Sequence, residues 1–159
     1  MRLRLAVLVA VTSFLTVLSP ADAGPPAPAH DAASDWVFVN RMAVVVPLPE
    51  FLARAATPDR WFDWSTDGCS APLVGDTGRS FDFRAACRRH DFGYRNLRLL
   101  ERRYGRGATY WNPTNRRAVD ERFRADMLAH CATRAPWLRI QCRWWAFTYF
   151  TAVRIAGGP

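Results

Sequence analysis

The sequence predicts a small, all-helical, disulfide-bonded domain, and three observations point there. Its 159 residues are half apolar and 13% aromatic, with seven Trp. That suits one globular core and excludes a disordered or collagen-like chain. Two long stretches repeat apolar residues at helical spacing, each bounded by start or stop signals. Four cysteines, Cys69, Cys87, Cys131 and Cys142, follow an export signal, a setting in which small domains form disulfides.

Taken in order, Met1 to Ala23 reads as a secretory signal. Arg2 and Arg4 precede an apolar run from Leu5 to Leu18, and Ala21-Asp22-Ala23 is a small-x-small cleavage site. The run is about 14 residues, short of the roughly 20 that span a bilayer. A secreted, extracellular protein is expected. Residues 24–34 form a Pro- and Ala-rich flexible lead-in, and residues 35–159 a single domain. Asp35 to Val46 fits a strand by propensity and a buried helix equally well. Pro49-Glu50 opens a short helix to about Ala56, which Pro58 stops. Trp61 to Ser80, with Gly68, Pro72, Gly75 and Gly78, reads as loop.

A strong helix follows over about Phe83 to Arg103. Ala86, His90, Tyr94 and Leu97 share one face, with Phe83, Cys87 and Leu100 beside it. Arg88, Arg89, Arg95, Arg98, Arg102 and Arg103 fall largely outside that stripe, and Gly105 and Gly107 end the helix. Asn112-Pro113 is a cap followed by a first-turn proline. The helix it starts runs to about Cys131, burying Val119, Phe123 and Met127 and packing antiparallel to the preceding one. A last helix, from about Trp137 to Ile155, carries Ile140, Trp144, Phe147, Thr148 and Thr151.

Four cysteines allow three pairings; the sequential one, Cys69–Cys87 and Cys131–Cys142, closes two short loops. A zinc site competes through Cys87, His90, His130 and Cys131, but the spacing matches no strong zinc signature. A Cys69–Cys87 bridge would hold its Cα atoms about 5–6 Å apart, pinning Asp67-Gly68 beside the turn that bears His90 and Asp91. Asp67, Asp91 and the Gly68 carbonyl are hard oxygen donors, which suit Ca²⁺. His90 points about 100° round the helix from Asp91, near such an ion without ligating it, and so can serve as a base. Asp120, on the facing helix, is placed to fix the imidazole, and Tyr94 to donate to the same carboxylate. Each residue alone has an ordinary explanation: a turn at Asp67-Gly68, an Asp91–Arg95 pair, a first-turn acid at Asp120, a core Tyr94. Their convergence through one bridge carries the functional reading.

The run Cys87-Arg88-Arg89-His90-Asp91-Phe92-Gly93-Tyr94 resembles the C-x-x-H-D-x-x-Y signature of secreted phospholipase A2. Asp63-Trp64-Ser65-Thr66-Asp67-Gly68-Cys69 resembles a segment of the small bacterial and fungal branch, as do Val119-Asp120 through Cys131 and Trp145-Ala146-Phe147-Thr148-Tyr149. The resemblance spans about Trp61 to Gly157, more loosely from Asp35. It implies a helical phospholipase A2 fold, calcium dependence and hydrolysis of the sn-2 ester of glycerophospholipids. It implies His90 as base, Asp120 as its orienting partner, Tyr94 in support, and Asp67, Gly68 and Asp91 as calcium ligands. The glycine-rich calcium loop of the animal enzymes is absent. An insertion around Arg102 to Trp111 lengthens the His90–Asp120 interval, which leaves Asp126 as an alternative partner.

The net charge is +8, and every basic residue is Arg. Such a surface suits anionic partners, so the expected one is a phospholipid membrane or micelle, preferentially anionic, met by a monomer. No nucleic-acid motif is present, and no G-x-S-x-G elbow indicates a serine lipase. The alternative is a phospholipase-like protein that binds membranes, or is toxic, with little catalysis.

Overall fold

A computed structural model describes residues 30–69 and 81–156. The export signal, Gly24–Ala29 of the lead-in, and Pro72, Gly75 and Gly78 lie outside that range. Five helices make the fold: α1 Ala32–Asn40, α2 Leu48–Ala56, α3 Arg84–Tyr104, α4 Pro113–Ala132 and α5 Pro136–Ala156. No β-strand occurs among the described residues.

The ambiguous Asp35–Val46 segment is helical. Asp31 caps α1 through a reciprocal capping box with Ser34, so the helix starts at Ala32, inside the expected lead-in. After Asn40 the chain continues as a π-helical turn, Arg41–Val45. Asp35 is buried in the first turn of α1. It accepts hydrogen bonds from Trp61 Nε1 (2.6 Å) and the Tyr104 hydroxyl (3.0 Å), and pairs with His30 Nδ1 (2.8 Å). One carboxylate thereby ties the start of α1 to the far end of α3.

Helices α3, α4 and α5 run as an antiparallel series. Gly93 explains how α3 and α4 approach closely: a Cβ there would sit 2.7 Å from Val119 Cγ1. The expected cap at Asn112 is present, its side chain accepting from the Asn115 N–H. The pairing is sequential, Cys69–Cys87 and Cys131–Cys142, the second joining α4 to α5 beside their turn.

One expectation needs correction. Arg89 is not on the solvent side of α3; it is 1% exposed and ion-paired with Asp126 of α4. Its Nη1 also donates to the Val46 carbonyl at 2.6 Å, so the turn after α1 and α4 together enclose its charge. On α5 the buried residues are Cys142, Ala146 and Tyr149, whereas Ile140, Trp144 and Phe147 point outward. The inner face carries the small Cys142 and Ala146, which permit close packing, together with Tyr149.

Candidate active site

A cavity of about 290 Å³ lies where α3, α5 and the Asp67–Cys69 loop meet. Asp67, Gly68, His90, Asp91, Tyr94 and Arg98 line one side, and Tyr149, Ala152, Val153 and Ala156 of α5 another. Phe123, buried on α4, forms the inner wall and packs against the His90 ring at 4.8 Å between centroids.

The loop is held to α3 by covalent and polar ties. The Cys69–Cys87 bridge sets a Cα separation of 5.4 Å. Asn96, fully buried one and a half turns beyond His90, accepts from the Asp63 N–H (2.9 Å) and donates to the Asp63 carbonyl (2.7 Å). Trp64 packs its ring on Phe92 at 4.4 Å. Gly68 has φ of 75°, a left-handed conformation that a side chain disfavours.

His90 Nε2 lies 2.8 Å from Asp120 Oδ1. The Tyr94 hydroxyl donates to the same oxygen at 2.8 Å, and Arg154 Nη1 donates to Oδ2 at 2.8 Å. Asp120 is 0% exposed, so three groups from α3 and α5 meet around one buried carboxylate of α4. Burial pushes its pKa up, but the hydrogen bonds from His90, Arg154 and Tyr94 outweigh that, and it ends below the ordinary value. A carboxylate anion at Nε2 favours the tautomer protonated there, leaving the Nδ1 lone pair as the proton acceptor. The Tyr94 phenol is raised, by burial first and then by the Asp120 charge, and stays protonated as a donor.

Asp126 is held away from His90 by the Arg89 and Arg122 pairs. The insertion leaves the α3–α4 contact intact because Glu101 folds it locally, accepting from the Tyr110 (2.6 Å) and Trp111 (3.1 Å) backbone N–H groups. Trp111 returns against Tyr94, edge to face at 5.2 Å. Its ring also carries the Arg98 guanidinium at 4.3 Å, a cation–π contact at the cavity wall.

Asp91 does not pair with Arg95. Its Oδ2 accepts from the Thr66 hydroxyl (2.5 Å) and the Asp67 N–H (3.2 Å), while Arg95 reaches Asp67 Oδ1 at 3.4 Å. Among the described residues no cluster of three or more His, Cys, Asp or Glu could hold a metal. Two carboxylates and a backbone carbonyl at a tight turn nevertheless match the donor chemistry of a hard divalent cation, with water completing the shell. Burial, and then the Asp67 charge, raise Asp91 against the pull of the Thr66 hydrogen bond.

Sequence reasoning missed Arg154, Asn96 and Thr66. The one Arg in the last turn of α5 and a polar Asn on the buried face of α3 were visible signals. Thr66 carried no signal of its own.

A family model described as prokaryotic phospholipase A2 matches residues 39–157. A secretory phospholipase A2 of Arthroderma benhamiae is 33% identical over 159 residues, covering 98% of this chain and 97% of that protein. A secretory phospholipase A2 of Beauveria bassiana is 33% identical over 147 residues, covering 91% of this chain and 67% of that protein.

Proposed function

The chain belongs to the prokaryotic phospholipase A2 family, and from that premise we propose that it is a secreted, calcium-dependent enzyme that cleaves the sn-2 ester of glycerophospholipids. The observation that carries the mechanism is the Asp120 cluster: an imidazole held through Nε2 on a buried carboxylate and lining the cavity.

In this reading His90 Nδ1 takes a proton from a water molecule, whose oxygen attacks the sn-2 carbonyl carbon. Asp120 holds the ring tautomer and stabilises the imidazolium that forms. The tetrahedral intermediate collapses with cleavage of the acyl C–O bond, and His90 returns the proton to the departing glycerol oxygen. The products are a free fatty acid and a lysophospholipid. Tyr94 and Arg154 act through Asp120, keeping it ionised and fixed. Asp67, Asp91 and the Gly68 carbonyl are the groups that would hold calcium. A bound calcium ion supplies Lewis-acid polarisation of the ester carbonyl and a counter-charge for the oxyanion and the lipid phosphate.

The anionic preference follows from the same cavity. Arg98, exposed on its wall over Trp111, offers a cation to an acidic headgroup. Secretion is supported by the N-terminal signal pattern and by the word secretory in both relatives' names.

The test is fatty-acid release by the purified mature protein, acting as a monomer on phospholipid vesicles, with calcium and with chelator. Release of the sn-2 acyl chain only with calcium is expected, faster on anionic than on zwitterionic vesicles and slowed by salt. Equal release in chelator overturns the calcium role, and vesicle binding without any release supports the non-catalytic alternative.

A further inference from the structure

The outer face of α5 is apolar and uncovered. Trp137 and Ile140 are each 79% exposed, Trp144 60% and Phe147 61%. At about 100° per residue these four project from one side of the helix, opposite the Cys142, Ala146 and Tyr149 face. Thr148, beside them, returns its hydroxyl to the Trp144 carbonyl at 3.1 Å, so its polar atom is already satisfied.

We propose that this ridge is the surface by which the protein docks on anionic lipid, a proposal that rests on the phospholipase reading and adds to it the face that meets the membrane. Charge selects the occupant. Helix α5 contains no Asp or Glu, and the exposed Arg139 and Arg143 lie along one side of the ridge. A second copy of the chain, meeting this face symmetrically, would bring like arginines together with no acid on α5 to offset them. An anionic bilayer supplies the opposite charge and an apolar interior to the same face. Trp residues favour the headgroup boundary, and an amphipathic helix with cationic flanks lies in that plane. No described helix is long and apolar enough to cross a membrane, so α5 is read as lying on the surface.

Ala152, Val153 and Ala156 of the same helix line the cavity, so the docking helix is also a wall of the site.

The test is flotation of the full mature protein with phosphatidylglycerol/phosphatidylcholine vesicles in chelator, so that binding is read apart from turnover. Compared with wild type are Trp144→Ser/Phe147→Ser, the single Ile140→Ser, and Val37→Ser, an exposed apolar position on α1 (63%) away from the ridge. Thermal denaturation checks that each is folded. Binding should fall about tenfold or more in the double variant and to a lesser degree in Ile140→Ser, scaling with the apolar area removed. Val37→Ser should bind as wild type does. Equal binding by wild type and folded ridge variants, or no vesicle binding by wild type, overturns the proposal. So does a wild-type dimer, detected by sedimentation, that the double variant dissolves while vesicle binding is kept. A separate assay on dispersed short-chain phospholipid with calcium reports on the phospholipase reading: if wild type fails there yet the ridge variants lose vesicle binding, that reading falls and the docking face stands.

Discussion

Two neighbouring residues of α3 each engage an aspartate of α4, and the two pairs have opposite fates. Arg89 meets Asp126 inside the core, with exposures of 1% and 5%, and a backbone carbonyl completes the guanidinium's contacts. His90 meets Asp120, equally buried, but the imidazole borders a cavity and the second cation, Arg154, is 41% exposed. Burial raises Asp126 despite Arg89, whereas three side-chain donors bring Asp120 below its ordinary value despite burial. The sealed pair can only hold helices together. The pair with one open edge keeps an ionised acid behind an imidazole that borders the cavity, as the proposed base requires.

That contrast can be broken at each end. The largest expected effect is on turnover: His90→Ala should lower fatty-acid release by about 10²–10⁴-fold, far more than its loss of a buried hydrogen bond, about 1–3 kcal/mol of stability, accounts for. Activity within a few-fold of wild type would place the chemistry elsewhere. Next, Arg89→Ala should lower unfolding free energy by about 3–5 kcal/mol, because it leaves the buried Asp126 with only the more exposed Arg122 as a partner. Denaturant titration measures it, and Arg89→Met with Asp126→Leu should recover most of the loss if the pair is structural.

A smaller effect separates the two acids by pH. Asp120 has a lowered folded pKa, so its contribution to stability is present above the ordinary value of 3.8 and is lost as pH falls through the folded value. Asp120→Asn should therefore be less stable than wild type by about 1–3 kcal/mol near neutrality, with the gap closing below about pH 4. A gap that widens on acidification would contradict the sign. The smallest change is Tyr94→Phe, which removes one hydrogen bond to Asp120 and should cost about 0.5–1.5 kcal/mol, with activity reduced less than in His90→Ala. An effect as large as that of His90→Ala would make Tyr94 more than a support.

Much of this was readable in the sequence, and the reasons differ by residue. Asn112-Pro113 encodes its helix start locally, since cap and proline act on their own backbone. His90 and Tyr94 were legible because helical spacing fixes their common face. Asp120 and Asp126 both lie on buried positions of α4, and only the register against α3 decides which one reaches His90. That register depends on where Gly93 admits Val119, a contact between distant parts of the chain. The fate of Arg89 was hidden because periodicity reads an arginine as solvated, and its partners come from two other segments. On α5 the large apolar residues drew attention away from Ala146 and Cys142, whose small size lets α4 approach.

Arg154 gives the order of synthesis a consequence. It comes from the last turn of α5 yet grips the buried carboxylate that holds His90, and Ala156 in the same turn contributes to the cavity wall. A nascent polypeptide that has released α3 and α4 from the ribosome still lacks part of its machinery. The proposed site is thus complete only when α5 lies against α3 and α4.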